Sequence, residues 1–167
     1  MVREKKETPL FTVISALILF LILKTFFLDI KLINGHSMEP TIKSGTFILI
    51  NKLEYGIIIP IINKYIIRWK KPKVGDIVEA RYPYQNKVII KRCLAREGDE
   101  ISFTRDYLVI NSRNIPWGEN YSRENLISGR VPDDKIVIIG DNYYDSIDSR
   151  SFGFVSDTDI LGRVIKF

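Results

Sequence analysis

The sequence predicts a mainly β protein, an antiparallel β-sheet domain that follows one N-terminal transmembrane helix. Short apolar runs recur at regular spacing, with Gly45, Gly75, Gly98, Asn111 and Gly140 between or beside them. Helical periodicity is scarce beyond Asn34, which favours short paired strands. One early stretch, in contrast, is apolar for long enough to cross a bilayer.

That stretch runs from Leu10 to Leu28 and is interrupted by a single charge, Lys24. At about 1.5 Å per residue it covers about 28 Å, close to the hydrocarbon thickness of a membrane. Lys24 lies near its end, where a long side chain can snorkel outward. A cleaved leader would need small residues after the apolar core. Phe26, Phe27, Leu28, Asp29 and Ile30 stand there instead, and alanine occurs only at positions 16, 80 and 95. The run is therefore expected to stay as an anchor. Arg3, Lys5 and Lys6 precede it, which puts the N-terminus in the cytoplasm by the positive-inside rule. The expected organisation is a cytoplasmic tail over 1–9, an anchor helix over 10–28 and an extracytoplasmic domain over 29–167.

Within that domain the candidate strands are GTFILI (45–50), GDIVEARY (75–82), KVIIKRCLA (87–95), DEISF (99–103), DYLVI (106–110), KIVIIG (135–140) and GRVIKF (162–167). The segment from Tyr55 to Trp69 is very apolar. It reads either as a buried loop or strand, or as a segment at a membrane surface with Trp, Tyr and Lys at headgroup level.

Composition narrows the function. The chain has 167 residues, 46% hydrophobic and 27% charged, which excludes a disordered polymer and suits one core beside the anchor. Its net charge of +5 is scattered. With no basic run or basic helix face, nucleic acid is not an expected partner, whereas anionic headgroups are compatible. Cys93 is the sole cysteine and His36 the sole histidine. A disulfide within the chain, a Cys-rich zinc site and a His-cluster metal site are thereby excluded, and no metal or cofactor is expected.

Chemistry is best sought at Ser37, within the stretch INGHSMEPT. A lone serine beside glycine is most often a turn residue. As a nucleophile it would need a base. His36 is adjacent, and neighbouring side chains of an extended segment face opposite ways, so a histidine-dependent triad is not expected. A buried lysine is the alternative, because desolvation lowers an ammonium pKa of about 10.4. Lys91 follows Val88-Ile89-Ile90 in a strand-like run and is the candidate. A lysine on an edge strand pointing to water would give the same pattern. Cys93, two residues on, should share the face of Lys91 as a core residue.

The polar loop from Gly140 to Gly153 reads as a solvated turn, or as a device that orients a nearby base. A hydroxyl there can accept a hydrogen bond from a lysine, and an Asp–Arg pair can pin the loop. A calcium loop is excluded, because the sixth and twelfth places counted from Asp141 hold Ser146 and Phe152 rather than glycine and an acid.

Together these segments resemble the bacterial type I signal peptidases, membrane-bound serine–lysine proteases of the signal-peptidase/LexA-like β fold. Gly35 to Thr41 resembles the nucleophile box and Pro72 to Val78 the next box. Lys91 to Asp99 resembles the box that holds the base, and Gly140 to Gly153 the last. The resemblance implies that Ser37 is the nucleophile, that Lys91 is the general base, and that Ser146 orients the Lys91 amine. It further implies that Asp148 and Arg150 hold the loop as an ion pair, and that the Ser37 backbone N–H donates to the oxyanion. Gly35 stands where some members carry Ser or Thr, and Tyr143 where many carry Arg. The implied activity is endoproteolytic removal of signal peptides from exported preproteins, after a small-x-small motif at the outer membrane face, through an acyl-enzyme. Ile33, Met38, Ile42 and Ile90 are the expected pocket lining. The partners so implied are exported preproteins, the phospholipid membrane and the secretion translocon. A self-cleaving LexA-type repressor would need an Ala-Gly or Cys-Gly site, and neither dipeptide occurs. A conjugation-type pilin peptidase and a non-catalytic, membrane-tethered β binding module remain as alternatives.

Overall fold

A computed structural model describes residues 9–59, 64–85, 87–117 and 125–166. Helix α1 (Pro9–Phe26) leads into β1 (Leu28–Leu32), β2 (Phe47–Asn51), β3 (Gly56–Ile59), β4 (Lys64–Arg68), β5 (Ile77–Arg81) and β6 (Val88–Arg96). There follow β7 (Glu100–Phe103), β8 (Tyr107–Ile110), β9 (Arg113–Pro116), β10 (Gly129–Arg130) and β11 (Lys135–Ile139). The one-turn helix α2 (Ser149–Phe152), β12 (Val155–Ser156) and β13 (Ile160–Lys166) complete the order.

The fold is mainly β and antiparallel. A seven-stranded sheet has the order β1-β2-β13-β5-β6-β11-β12, a four-stranded sheet the order β10-β7-β8-β9, and β3 pairs with β4 as a separate hairpin. Alternation of apolar and polar residues sets the register. In β6 the residues Lys91, Cys93 and Ala95 face inward and are buried, while Arg92 and Leu94 between them are only partly covered. The four residues from Ile77 to Ala80 in β5 are all buried, so this strand is covered on both faces. Val78 and Ala80 pack with Cys93, Ile136, Ile138 and Ile160. On its other face Ile77 packs with Met38, Ile42, Ile48, Ile50 and Val164. A third cluster, centred on Leu108, Trp117, Leu126 and Val137, joins the two sheets. Each fully buried aliphatic side chain in such a core contributes about 1.5–3 kcal/mol.

Over the stretch Leu10 to Leu28, expected to be an anchor, the helix covers all but the last two residues. Helix α1 stops at Phe26 and Leu28 opens a strand. Backbone pairing from Leu28↔Asn51 to Leu32↔Phe47 takes the chain out of the helix there. Among the described residues no helix is long and apolar enough to cross a membrane. The large apolar side chains described in α1, from Leu10 to Leu21, are exposed.

The apolar stretch 55–69 supplies the β3–β4 hairpin rather than a buried loop. The hairpin is fastened to the rest of the domain by the Tyr65 hydroxyl, which donates to the Ile160 carbonyl, and by Arg68, whose Nη1 donates to Asp157 at 2.5 Å. Ile66, Ile67 and Trp69 remain exposed.

The loop after α2 depends on one close approach. Gly153 has φ +83°, and a Cβ there would lie 2.4 Å from the Asn125 carbonyl oxygen. Gly153→Ala therefore incurs both left-handed strain and a backbone clash, with an expected loss of more than about 1 kcal/mol. Thermal unfolding followed by circular dichroism should show a fall of at least about 2 °C; an unchanged midpoint would mean that the approach is not rigid.

Candidate active site

Ser37 sits in a turn between β1 and β2. The stem of this turn is closed by Ile33 N–H to Thr46 O at 2.9 Å and by Gly45 N–H to Ile33 O at 2.8 Å. The next residue, Met38, is buried in the core and pins the turn from below. From the other side, Asn142 reaches over from the loop that follows β11. Its backbone N–H donates to Ser37 O at 3.0 Å, and its Nδ2 donates to His36 O at 3.2 Å. The serine hydroxyl is thus carried by a backbone held at three points.

Lys91 approaches from β6 and is only 4% exposed. Its Nζ donates to Ser37 Oγ at 2.6 Å. Burial is the largest influence on its pKa, which is pushed down from 10.5 to about 8. Asp148 opposes that shift and Arg150 reinforces it. Once the amine has lost its proton, the same short contact lets the nitrogen accept the hydroxyl proton.

His36 is exposed and takes no part in this pair. Its Nδ1 lies 2.9 Å from Glu39 Oε1, a contact that raises the imidazole pKa. Cys93 lies buried on the face of Lys91, and burial pushes its thiol up to about 12, so it stays protonated.

The loop 140–153 is organised around Asp148, which is fully buried. Its carboxylate accepts from Gly140 N–H at 3.1 Å and Arg150 N–H at 3.1 Å, and from Arg150 Nε at 2.9 Å and Nη2 at 2.8 Å. Arg150, also fully buried, donates through Nη1 to Pro116 O at 2.9 Å and Tyr143 O at 2.7 Å. Desolvating two such ions costs several kcal/mol each, and only dense hydrogen bonding of this kind offsets it.

Ser146 is buried beside Gly140. A Cβ at Gly140 would meet Ser146 Oγ at 2.2 Å and Ser37 O at 2.4 Å. The absence of a side chain at Gly140 is what allows the Ser37 turn and Ser146 to close on the same point.

A cleft of about 320 Å³ opens beside the Ser37–Lys91 pair. Of the expected lining, Ile33, Met38 and Ile90 border it. Ile42 does not, and this corrects the sequence expectation. Its N–H donates to Met38 O at 2.8 Å, and that turn carries its side chain into the core behind Met38, where it is 1% exposed. Lys31, Asn34, Val88 and Ile89 line the cleft although no local pattern singles them out. One wall is a strand edge. β6 pairs with β5 from Val88 to Arg92 but with β11 only from Arg92 to Arg96. Among the described residues the stretch Val88–Lys91 is therefore paired on one side alone.

Sequence reading also missed three supports: Gly140, Asn142 and the Arg92–Asp141 pair. Arg92 donates through Nε at 2.8 Å and Nη2 at 2.6 Å to the two Asp141 oxygens, tying β6 to the loop. The run Gly140-Asp141-Asn142 was visible as part of a box, but its partners lie far away in the chain.

A sequence profile of the family described as signal peptidase, peptidase S26, matches residues 6–167. Signal peptidase I of Bacillus caldolyticus is 32% identical over 159 residues, which is 85% of this chain and 80% of that protein. Signal peptidase I of Pseudomonas fluorescens is 39% identical over 101 residues, 59% of this chain but 36% of the longer relative. A crystal structure of a signal peptidase I from Enterococcus faecalis superposes with a TM-score of 0.43 at 25% identity, covering 57% of this chain and 98% of that one.

The depressed Lys91 pKa has a stability consequence of definite sign. Between about pH 8 and 10.5 the unfolded chain binds the proton that the folded chain lacks, so stability rises with pH in that window; below it the full penalty is present. Lys91→Met removes the charge and keeps the apolar stem. At pH 7 it should be more stable than the native chain by up to about 3 kcal/mol. The gain should fall below about 1 kcal/mol at pH 10. Denaturant titrations at the two pH values measure it, and a pH-independent difference would refute the burial account.

Proposed function

This chain belongs to the signal peptidase family, peptidase S26, and we propose that it removes signal peptides from exported preproteins with Ser37 as nucleophile and Lys91 as general base. The observation that carries the proposal is the 2.6 Å contact between a buried amine and a hydroxyl at the mouth of an apolar cleft. With a pKa of about 8, about a tenth of Lys91 is neutral at pH 7, some hundreds of times more than for an ordinary lysine. Neutral Nζ takes the Ser37 proton as Oγ attacks the scissile carbonyl. The oxyanion is met by the Ser37 backbone N–H. Lys91 then returns the proton to the departing amine, and water, deprotonated by the same amine, releases the acyl group from Oγ. Ser146, which packs against Gly140 beside the Ser37 turn, orients the amine, while Asp148 and Arg150 keep the loop in place.

The substrate lies extended along the free edge Val88–Lys91 and adds a strand there. Ile33, Met38 and Ile90 bound the space for the side chain before the cut, which must be small. Helix α1 is too short by itself to cross a membrane, and the proposed single-pass anchor joins it to the apolar residues that follow, with the N-terminal tail in the cytoplasm and the peptidase domain outside. The 18 residues of the helix cover about 27 Å, slightly less than a hydrocarbon core. Exposed Phe27, Leu28 and Ile30 continue the apolar surface beyond it. From Phe26 the chain can reach Ser37 over at most about 40 Å, which keeps the nucleophile near the lipid. A preprotein leaving the secretion translocon still has its own apolar segment in the bilayer at that height.

Cleavage of a purified preprotein by detergent-solubilised enzyme tests the reading. The rate should climb through about pH 8 and level off above it. Ser37→Ala and Lys91→Ala should each lower it at least about a thousandfold. No cleavage by the native chain would favour a non-catalytic binding module, and equal cleavage by all three would dismiss the dyad.

A further inference from the structure

The cleft wall presents one member of a charged pair that the proposed proteolysis does not use, and the other member, Glu79, is buried behind it. Lys31 lines the cleft, and its ammonium contacts the Glu79 carboxylate on β5 and lies 3.8 Å from Asp29. The Glu79 side chain is 2% exposed and that of Lys31 33%. Glu79 shares a face of β5 with Ile77, two residues away, and stands opposite Ile90 in the β5–β6 ladder. The pair therefore belongs to the side of the sheet where Ile33, Met38 and Ile90 pack.

Spacing assigns it a place along the cleft. One wall presents Ile33 and then Lys31, the other Ile90 and then Val88, each two residues farther from Ser37. Two residues in a strand span about 6.6 Å, which is also the distance between successive side chains on one face of a bound extended peptide. Ile33 and Ile90 thus meet the residue before the cut, and Lys31 and Val88 meet the residue two positions before that one. Resting on the signal peptidase reading, we propose that the Lys31–Glu79 pair forms a polar wall in this outer pocket and makes the enzyme prefer a small hydroxyl side chain there over an aliphatic one of equal volume. An ammonium has three N–H donors, so Lys31 can hold Glu79 and still donate to a Ser or Thr oxygen. A Val in the same place would bury its methyl groups against the Lys31 ammonium and leave that donor without an acceptor.

The test uses full-length enzyme in detergent and peptides that differ only at the outer position: Ala, Ser, Thr or Val, with Ala next to the cut. The native enzyme should cleave the Thr peptide at least about tenfold better than the Val peptide, measured as kcat/KM. In the double variant Lys31→Met with Glu79→Gln, which keeps volume and leaves no unpaired buried acid, that ratio should fall to one or below. Lys31→Arg should retain a ratio above one. Ratios within one variant do not depend on how much of it is folded. A native ratio near one, or a ratio that survives the double substitution, overturns the polar wall. Failure of the native enzyme to cleave even the Ala peptide strikes the proteolytic reading instead.

Discussion

A lysine held out of water is the condition on which the rest of this molecule is arranged. Lys91 loses its hydration because β6 delivers it on the same buried face as Cys93 and Ala95. The apolar surroundings disfavour the ammonium, while the carboxylate of Asp148 favours it and the guanidinium of Arg150 does not. Asp148 alone would return the amine toward its ordinary charge. Its tight pairing with Arg150, both fully buried, limits that influence and keeps the acid committed to the loop.

The loop between β11 and α2 serves both partners of the dyad. Gly140 N–H and the Arg150 head group converge on one carboxylate, and Asn142 grips the backbone of the Ser37 turn. A displacement at Asp148 would therefore reach the hydroxyl and the amine together. Rigidity of this kind suits the proposed transfer of a proton between Lys91 and Ser37, which are 2.6 Å apart.

Each apolar run read as a strand, from GTFILI to GRVIKF, overlaps a strand of the structure, because half-buried strands write their alternation into the sequence. The strand β1 left no such mark. Leu28 to Leu32 follows the apolar helix without a break, and only its pairing with β2 decides where helix ends. The short β9, β10 and β12 are polar or only two residues long, which is too little for periodicity to register. Ser37, Lys91 and the polar loop could be picked out by residue type, yet their joining came from resemblance rather than pattern. Ile42 and Ile33 look alike in the sequence, and only the turn closed on Met38 separates core from cleft. Ion pairs between segments distant in the chain, such as Arg92 with Asp141 or Lys31 with Glu79, have no local signature at all.

The unpaired edge of β6 is short, about four residues from Val88 to Lys91. An extended ligand there gains only a handful of main-chain hydrogen bonds at about 1 kcal/mol apiece, which corresponds to a dissociation constant in the millimolar range. Such weak retention prevents the severed peptide from clogging the enzyme. It also leaves the enzyme indifferent to passing polypeptides until one is concentrated beside it.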